Sequence, residues 1–117
     1  MRELPEPSAD EIDLASVMHA FADPSRLRTL VALAAATADE TCTDLAELAG
    51  TGGLAKSTWS HHLRVLREAG VIHTRHDGTR KLVTLRRADL DARFPGLLDA
   101  VLEGVTSELD GEAATAR

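Results

Sequence analysis

"STWSHHLRVLREAG", residues 57–70, decides how this chain is read. A helix turns about 100° per residue. At that spacing Trp59, Leu63 and Leu66 lie close together around the axis and form one apolar stripe. Arg64, Ser57, Glu68 and His61 make a second stripe on the opposite side, with Ser60 beside them. His62 lies at the edge of the apolar side, so the two adjacent histidines diverge and share no task. A helix seated on a core by Trp59, Leu63 and Leu66 turns Ser57, Ser60, His61 and Arg64 outward. These are side chains that bond to phosphates and base edges.

The flanking text gives that helix a context. "TDLAELAG", residues 43–50, reads as a short helix with Thr43 as its cap and Gly50 as its stop. "GTGG", residues 50–53, is the turn, and a longer helix follows from Leu54 to Ala69, closed by Gly70. Short helix, glycine-rich turn and longer helix make a helix-turn-helix. "VIHTRHDGTRKLVTL", residues 71–85, reads as a hairpin turning at Asp77-Gly78, where glycine accepts a positive φ. A basic hairpin in that place is a wing. On this reading Lys56, Ser57, Thr58, Ser60, His61 and Arg64 meet the major groove of double-stranded DNA. Arg75, His76, Arg80 and Lys81 lie along the adjacent backbone or minor groove.

Upstream, "DEIDLASVMHAFA", residues 10–22, spaces Ile12, Leu14, Ala15, Val17, Met18 and Phe21 as one helix with acids in its first turn. "DPSRLRTLVALAAA", residues 23–36, opens a second helix with Asp23 as cap and Pro24 at the first helical position. Residues 37–42 are polar and loop-like. Downstream, "RADLDARFPGLLDAVLEGV", residues 87–105, is helical, and Pro95 kinks or divides it. The expected fold is mainly α with a small β-hairpin wing, a winged helix-turn-helix over residues 10–107. A flexible arm, 1–9, precedes it and a flexible tail, 108–117, follows. The apolar faces carrying Leu14, Val17, Met18 and Phe21, and Leu98, Val101, Leu102 and Val105, suit a dimer interface between the first and last helices. Plain intrachain core is the alternative.

Composition narrows the function. The 117 residues carry a formal net charge of −6, which taken alone argues against nucleic acid. The charge is unevenly placed. Residues 56–87 hold Lys56, Arg64, Arg67, Arg75, Arg80, Lys81, Arg86 and Arg87 against Glu68 and Asp77, a formal +6, so the remainder is −12. Such an asymmetry points to an anionic partner at one face. One cysteine, Cys42, forbids an intrachain disulfide and fits a reducing compartment. The N-terminal text lacks the apolar stretch of a signal peptide, and no run approaches a membrane span, so a cytoplasmic protein without a membrane partner is expected.

The chain resembles the ArsR/SmtB family of winged-helix repressors. "FADPSRLRTLVAL" is similar to that family's second-helix opening, "STWSHHLRVLREAGVI" to its recognition helix and "RHDGTRKLVTL" to its wing, with Ser60, His62, Leu63, Leu66 and Gly70 at the family positions. The resemblance spans about residues 12–105 and implies a homodimer that represses transcription from a palindromic operator. It also implies metal sites that this chain lacks the ligands to build. "TCTDL" places Thr41 and Thr43 where the family has cysteines, and no histidine follows His76. One thiolate does not make a soft-metal site. No metal or other cofactor is therefore expected, and the identity of any effector is left open. Ser60, His61 and His62 diverge and do not make an enzyme's nucleophile and base. The alternative function is a winged-helix interaction module whose basic face meets an acidic protein.

Overall fold

The computed structural model describes residues 6–36 and 40–115. A 3-10 turn, Ala9–Glu11, leads into six α-helices: α1 (Leu14–Ala20), α2 (Pro24–Ala35), α3 (Cys42–Leu48), α4 (Lys56–Glu68), α5 (Arg87–Arg93) and α6 (Leu97–Thr115). Three strands, β1 (Glu40–Thr41), β2 (Ile72–Asp77) and β3 (Arg80–Leu85), form an antiparallel sheet in the order β1-β3-β2. The fold is a mainly helical winged helix-turn-helix, and β2 and β3 are the wing.

Local chemistry sets the element ends. Asp23 caps α2 by accepting from the Arg26 amide at 3.1 Å, with Pro24 at the first helical position. The first expected helix is broken. Asp13 accepts from the Ser16 amide at 3.0 Å and from the Ser16 hydroxyl at 2.8 Å, so a cap stands where the periodicity ran on. Thr41, not Thr43, caps α3 through the Asp44 amide. That register leaves Thr41 extended, and it pairs with Leu82 in a strand where a loop was expected. The C-terminal ends of α3 and α4 share one device. Gly50 and Thr51 bond back to Glu47 and Ala46, and Gly70 and Val71 bond back to Arg67 and Leu66. Both are Schellman closures. Gly70 has φ +85, and a Cβ there would stand 2.6 Å from the Ile12 side chain, so the position admits only glycine without rearrangement.

Pro95 divides the last helical stretch into α5 and α6. The tail expected to fray from residue 108 continues as helix to Thr115, with Glu112 4.0 Å from Arg28 of α2. The described end of the N-terminal arm is tied down. Glu6 lies 2.7 Å from His73 Nδ1 and accepts from the Thr74 amide at 2.8 Å, and Arg86 donates to the Pro7 carbonyl at 2.7 Å. Residues 1–5 of that arm and 116–117 of the tail lie outside the described residues.

The core gathers Ile12, Val17, Phe21, Leu30, Leu45, Trp59, Leu63, Leu66, Val71, Ile72, Val83, Leu90 and Leu98. Val17, Phe21, Leu98 and Val105 are thus buried within the chain itself. They have little surface left to offer a second copy. Leu14 and Met18, each 49% exposed, remain on the surface, and Val101 and Leu102 are half-buried.

One buried polar cluster fixes α4 from behind. The Arg26 guanidinium donates through Nε to the Ala20 carbonyl at 2.8 Å and through Nη2 to the His19 carbonyl at 3.2 Å. Its Nη1 lies 3.1 Å from His62 Nδ1. A guanidinium only donates, so Nδ1 must accept and the imidazole hydrogen sits on Nε2. That nitrogen faces Asp23, 3.8 Å away. Burial pulls the His62 pKa below its ordinary value; Asp23 opposes the shift, and Arg26 and His61 add to it.

This packing can be tested at two residues. Trp59→Ala deletes a core side chain and should cost about 3–5 kcal/mol, read as a lower midpoint in denaturant unfolding. His62 with a depressed pKa binds fewer protons folded than unfolded, so its stabilising contribution is complete above the unfolded value and is lost as pH falls through and below it. The Tm of the wild type should therefore fall as pH drops below about 6.5. His62→Gln, which keeps an acceptor for Arg26, should flatten that part of the profile; an identical slope in the variant would contradict the assignment.

Candidate nucleic-acid interface

The α4 helix is two-sided, as its sequence implies. Trp59, His62, Leu63 and Leu66 are buried. Lys56, Ser57, Thr58, Ser60, His61 and Arg64 are exposed and lie together on the outer side. A helix fits the major groove of B-DNA. Ala55, at the N-cap position of α4, has no polar side chain and supplies no capping bond. The amides of the first turn therefore stay available to an anion, at the positive end of the helix dipole.

The wing does not present its four expected contacts as one set. Directly paired residues share a face of the sheet, and the register pairs His76 with Lys81, Arg75 with Leu82 and Asp77 with Arg80. His76 and Lys81 are half-buried on the face that also carries the buried Thr74 and Val83. Arg75 and Arg80 are exposed on the opposite face. Alternation along a strand forces this split. The turn itself is Gly78-Thr79, with Gly78 at φ +65 and no positive φ at Thr79, the type II′ pattern.

Several charges counted with the basic segment are engaged elsewhere. Arg86 pairs with Asp89 at 3.0 Å, and Arg87 bonds Asp99 at 2.9 Å. Both brace the start of α5 and do not face outward as free cations. Arg80 bonds Asp77 at 2.8 Å across the wing tip, and that carboxylate offsets part of its charge. The net charge of the segment therefore overstates the positive potential of the surface. Sequence reasoning also missed the Arg26–His62 contact. A buried arginine is rare, and the only hint was an imidazole predicted at the margin of the apolar stripe.

Among the described residues no three His, Cys, Asp or Glu side chains come together as a metal site. Cys42 is half-buried, and burial raises its thiol pKa while nearby Lys81 works the other way. Among the described residues no helix is long and apolar enough to cross a membrane.

Known proteins bear on this geometry in two ways. A family model described as a helix-turn-helix domain matches residues 21–75, which run from the end of α1 through α4 into β2. The chain is also 31% identical over 93 residues to an uncharacterized HTH-type transcriptional regulator, YceK, of Bacillus subtilis (strain 168), a match spanning 80% of this chain and 90% of that protein. With an outward polar stripe on α4 and a wing beside it, the chain belongs to the helix-turn-helix transcriptional regulators, DNA-binding proteins.

Proposed function

We propose that the protein is a transcriptional repressor of the ArsR/SmtB type that binds a palindromic operator as a homodimer in the cytoplasm. The observation that carries this reading is α4. Its outer row of Lys56, Ser57, Ser60, His61 and Arg64 is held at a fixed angle by the buried row behind it. Lys56 and the uncapped first turn suit a phosphate, and Arg64, further along the helix, suits a base edge such as guanine. Arg75 and Arg80 suit the neighbouring backbone.

Two copies are needed because one α4 reads only a few base pairs. Leu14 and Met18 leave an apolar strip exposed on α1, and Val101 and Leu102 are half-buried on α6. Joined through these, two protomers present two copies of α4 related by a two-fold axis, which a palindrome matches. The regulator acts without catalysis: His62 is committed to Arg26, which leaves Ser60 and His61 without a buried base behind them. Repression would follow from occupancy of a promoter, and an effector would lift it.

Footprinting on the DNA upstream of the protein's own coding sequence should show two symmetric protected half-sites about one helical turn apart. A single unsymmetric footprint would remove the homodimer. Arg64→Ala should lower affinity for that site by ~1–3 kcal/mol while leaving binding to unrelated duplex nearly unchanged. If instead an acidic protein is the partner, duplex affinity will be weak and blind to sequence, and Arg64→Ala will not alter the preference.

The wing tip makes a second, opposed pair of expectations. Arg80→Ala should weaken binding to every duplex and reduce the salt slope by about 1. Asp77→Asn keeps the Gly78-Thr79 turn but frees Arg80, so it should tighten binding to every duplex at low salt. Equal affinities for the two variants would place the wing clear of the DNA.

A further inference from the structure

An open cavity of about 510 Å³ lies between α3, the first turn of α4 and the wing. Ala46, Leu54, Trp59 and Leu63 give it an apolar side, and Lys56 and Lys81 give it a cationic one. Its size is that of a small-molecule site. Trp59 is nine-tenths buried, and its Nε1–H has no hydrogen-bond partner among the described residues. The uncapped amides at the start of α4 add a positive dipole end beside Lys56.

These features select one chemistry. Among the described lining residues two lysines face a single carboxylate, the exposed Glu47, so the cavity favours an anion. The apolar wall of Trp59, Leu63, Leu54 and Ala46 has no use for a bare phosphate, and a DNA backbone would leave it unfilled. Cys42 also lines the cavity, but burial keeps its thiol protonated, which makes it wall and not nucleophile. We propose that the cavity binds a small organic carboxylate with an apolar body. The carboxylate is held by Lys81, Lys56 and the first turn of α4, and the body packs on Trp59 and Leu63.

Lys56, Ser57 and Ser60 line this cavity and also belong to the row of α4 proposed to meet DNA. A bound carboxylate would neutralise charge that a phosphate would otherwise use, so ligand and operator compete. That consequence rests on the proposed docking of α4; the binding of the carboxylate does not.

Trp59 is the chain's one tryptophan and reports on the cavity directly. The full chain is titrated with 3-phenylpropionate, with its neutral amide and with inorganic phosphate, and Trp59 emission is followed without DNA. The expected result is a saturable change with the carboxylate and binding about tenfold or more weaker for the amide and for phosphate. Lys81→Met should weaken the carboxylate by a similar factor, and Ala46→Phe should block it by filling the apolar end. Lys81 is half-buried on a strand face, so its variant decides the matter if Ala46→Phe fails to fold. No saturable change, an equal response to amide or phosphate, or an unchanged titration in Lys81→Met would overturn the proposal. A second arm measures operator affinity with and without 3-phenylpropionate. An intact Trp59 response with no effect on DNA would sink the docking reading while the carboxylate site stands.

Discussion

The guanidinium of Arg26 is the constraint on which the rest of the structure depends. It is buried and its charge cannot be shed, because arginine stays protonated at any ordinary pH. It must therefore keep its acceptors: two carbonyls at the end of α1 and one imidazole nitrogen on α4. Three helices are tied at one point, and losing any partner leaves a buried charge short of hydrogen bonds. The partly negative C-terminal end of α1 is itself a favourable place for a cation. The arrangement also demands neutral His62, since a hydrogen on Nδ1 would face the guanidinium.

On the proposed docking of α4, this back-side clamp is what lets a small domain read DNA. A recognition helix needs its outward side chains placed to within a fraction of an ångström, and its own helical bonds do not supply that. Here Trp59, Leu63 and Leu66 provide the burial, while His62 provides direction, because a hydrogen bond has an angle and apolar contact does not. The Schellman closures at Gly50 and Gly70 fix where α3 and α4 stop, and Ile12 packs against the second of them. The exposed row of α4 is thus set by residues that never meet the solvent.

Much of this is legible in the sequence alone. The apolar stripe of α4, the Asp23-Pro24 start of α2 and the glycine stops are local signals, and a local signal survives folding. What fails to show there depends on contacts between distant segments. Arg26 sits in a pattern that reads as solvated, and only the neighbouring end of α1 and the middle of α4 make its burial possible. Val17, Phe21, Leu98 and Val105 have the spacing of an apolar face, but spacing does not say whether the face meets its own chain or another. The break before α1 is a contest between two local choices. Periodicity through Ile12 lost to the cap that Asp13 makes with Ser16. The split of the wing follows from strand alternation and is available in principle, once the register is known.

The charge distribution ties these threads to function. A formal +6 on residues 56–87 suggests strong electrostatic binding, but the fold uses part of it internally. Arg86 and Arg87 brace α5, and Arg80 is held by Asp77. The remainder of the chain carries −12 and repels a polyanion. Phosphate attraction alone is sequence-independent, so a surface that limits it lowers the non-specific background more than it lowers a well-fitted complex. On the proposed docking, discrimination then falls to the geometry of α4: a few polar side chains, each with a fixed origin, offered to base edges. A protein built this way gains selectivity by holding its recognition helix still and keeping its excess of positive charge small.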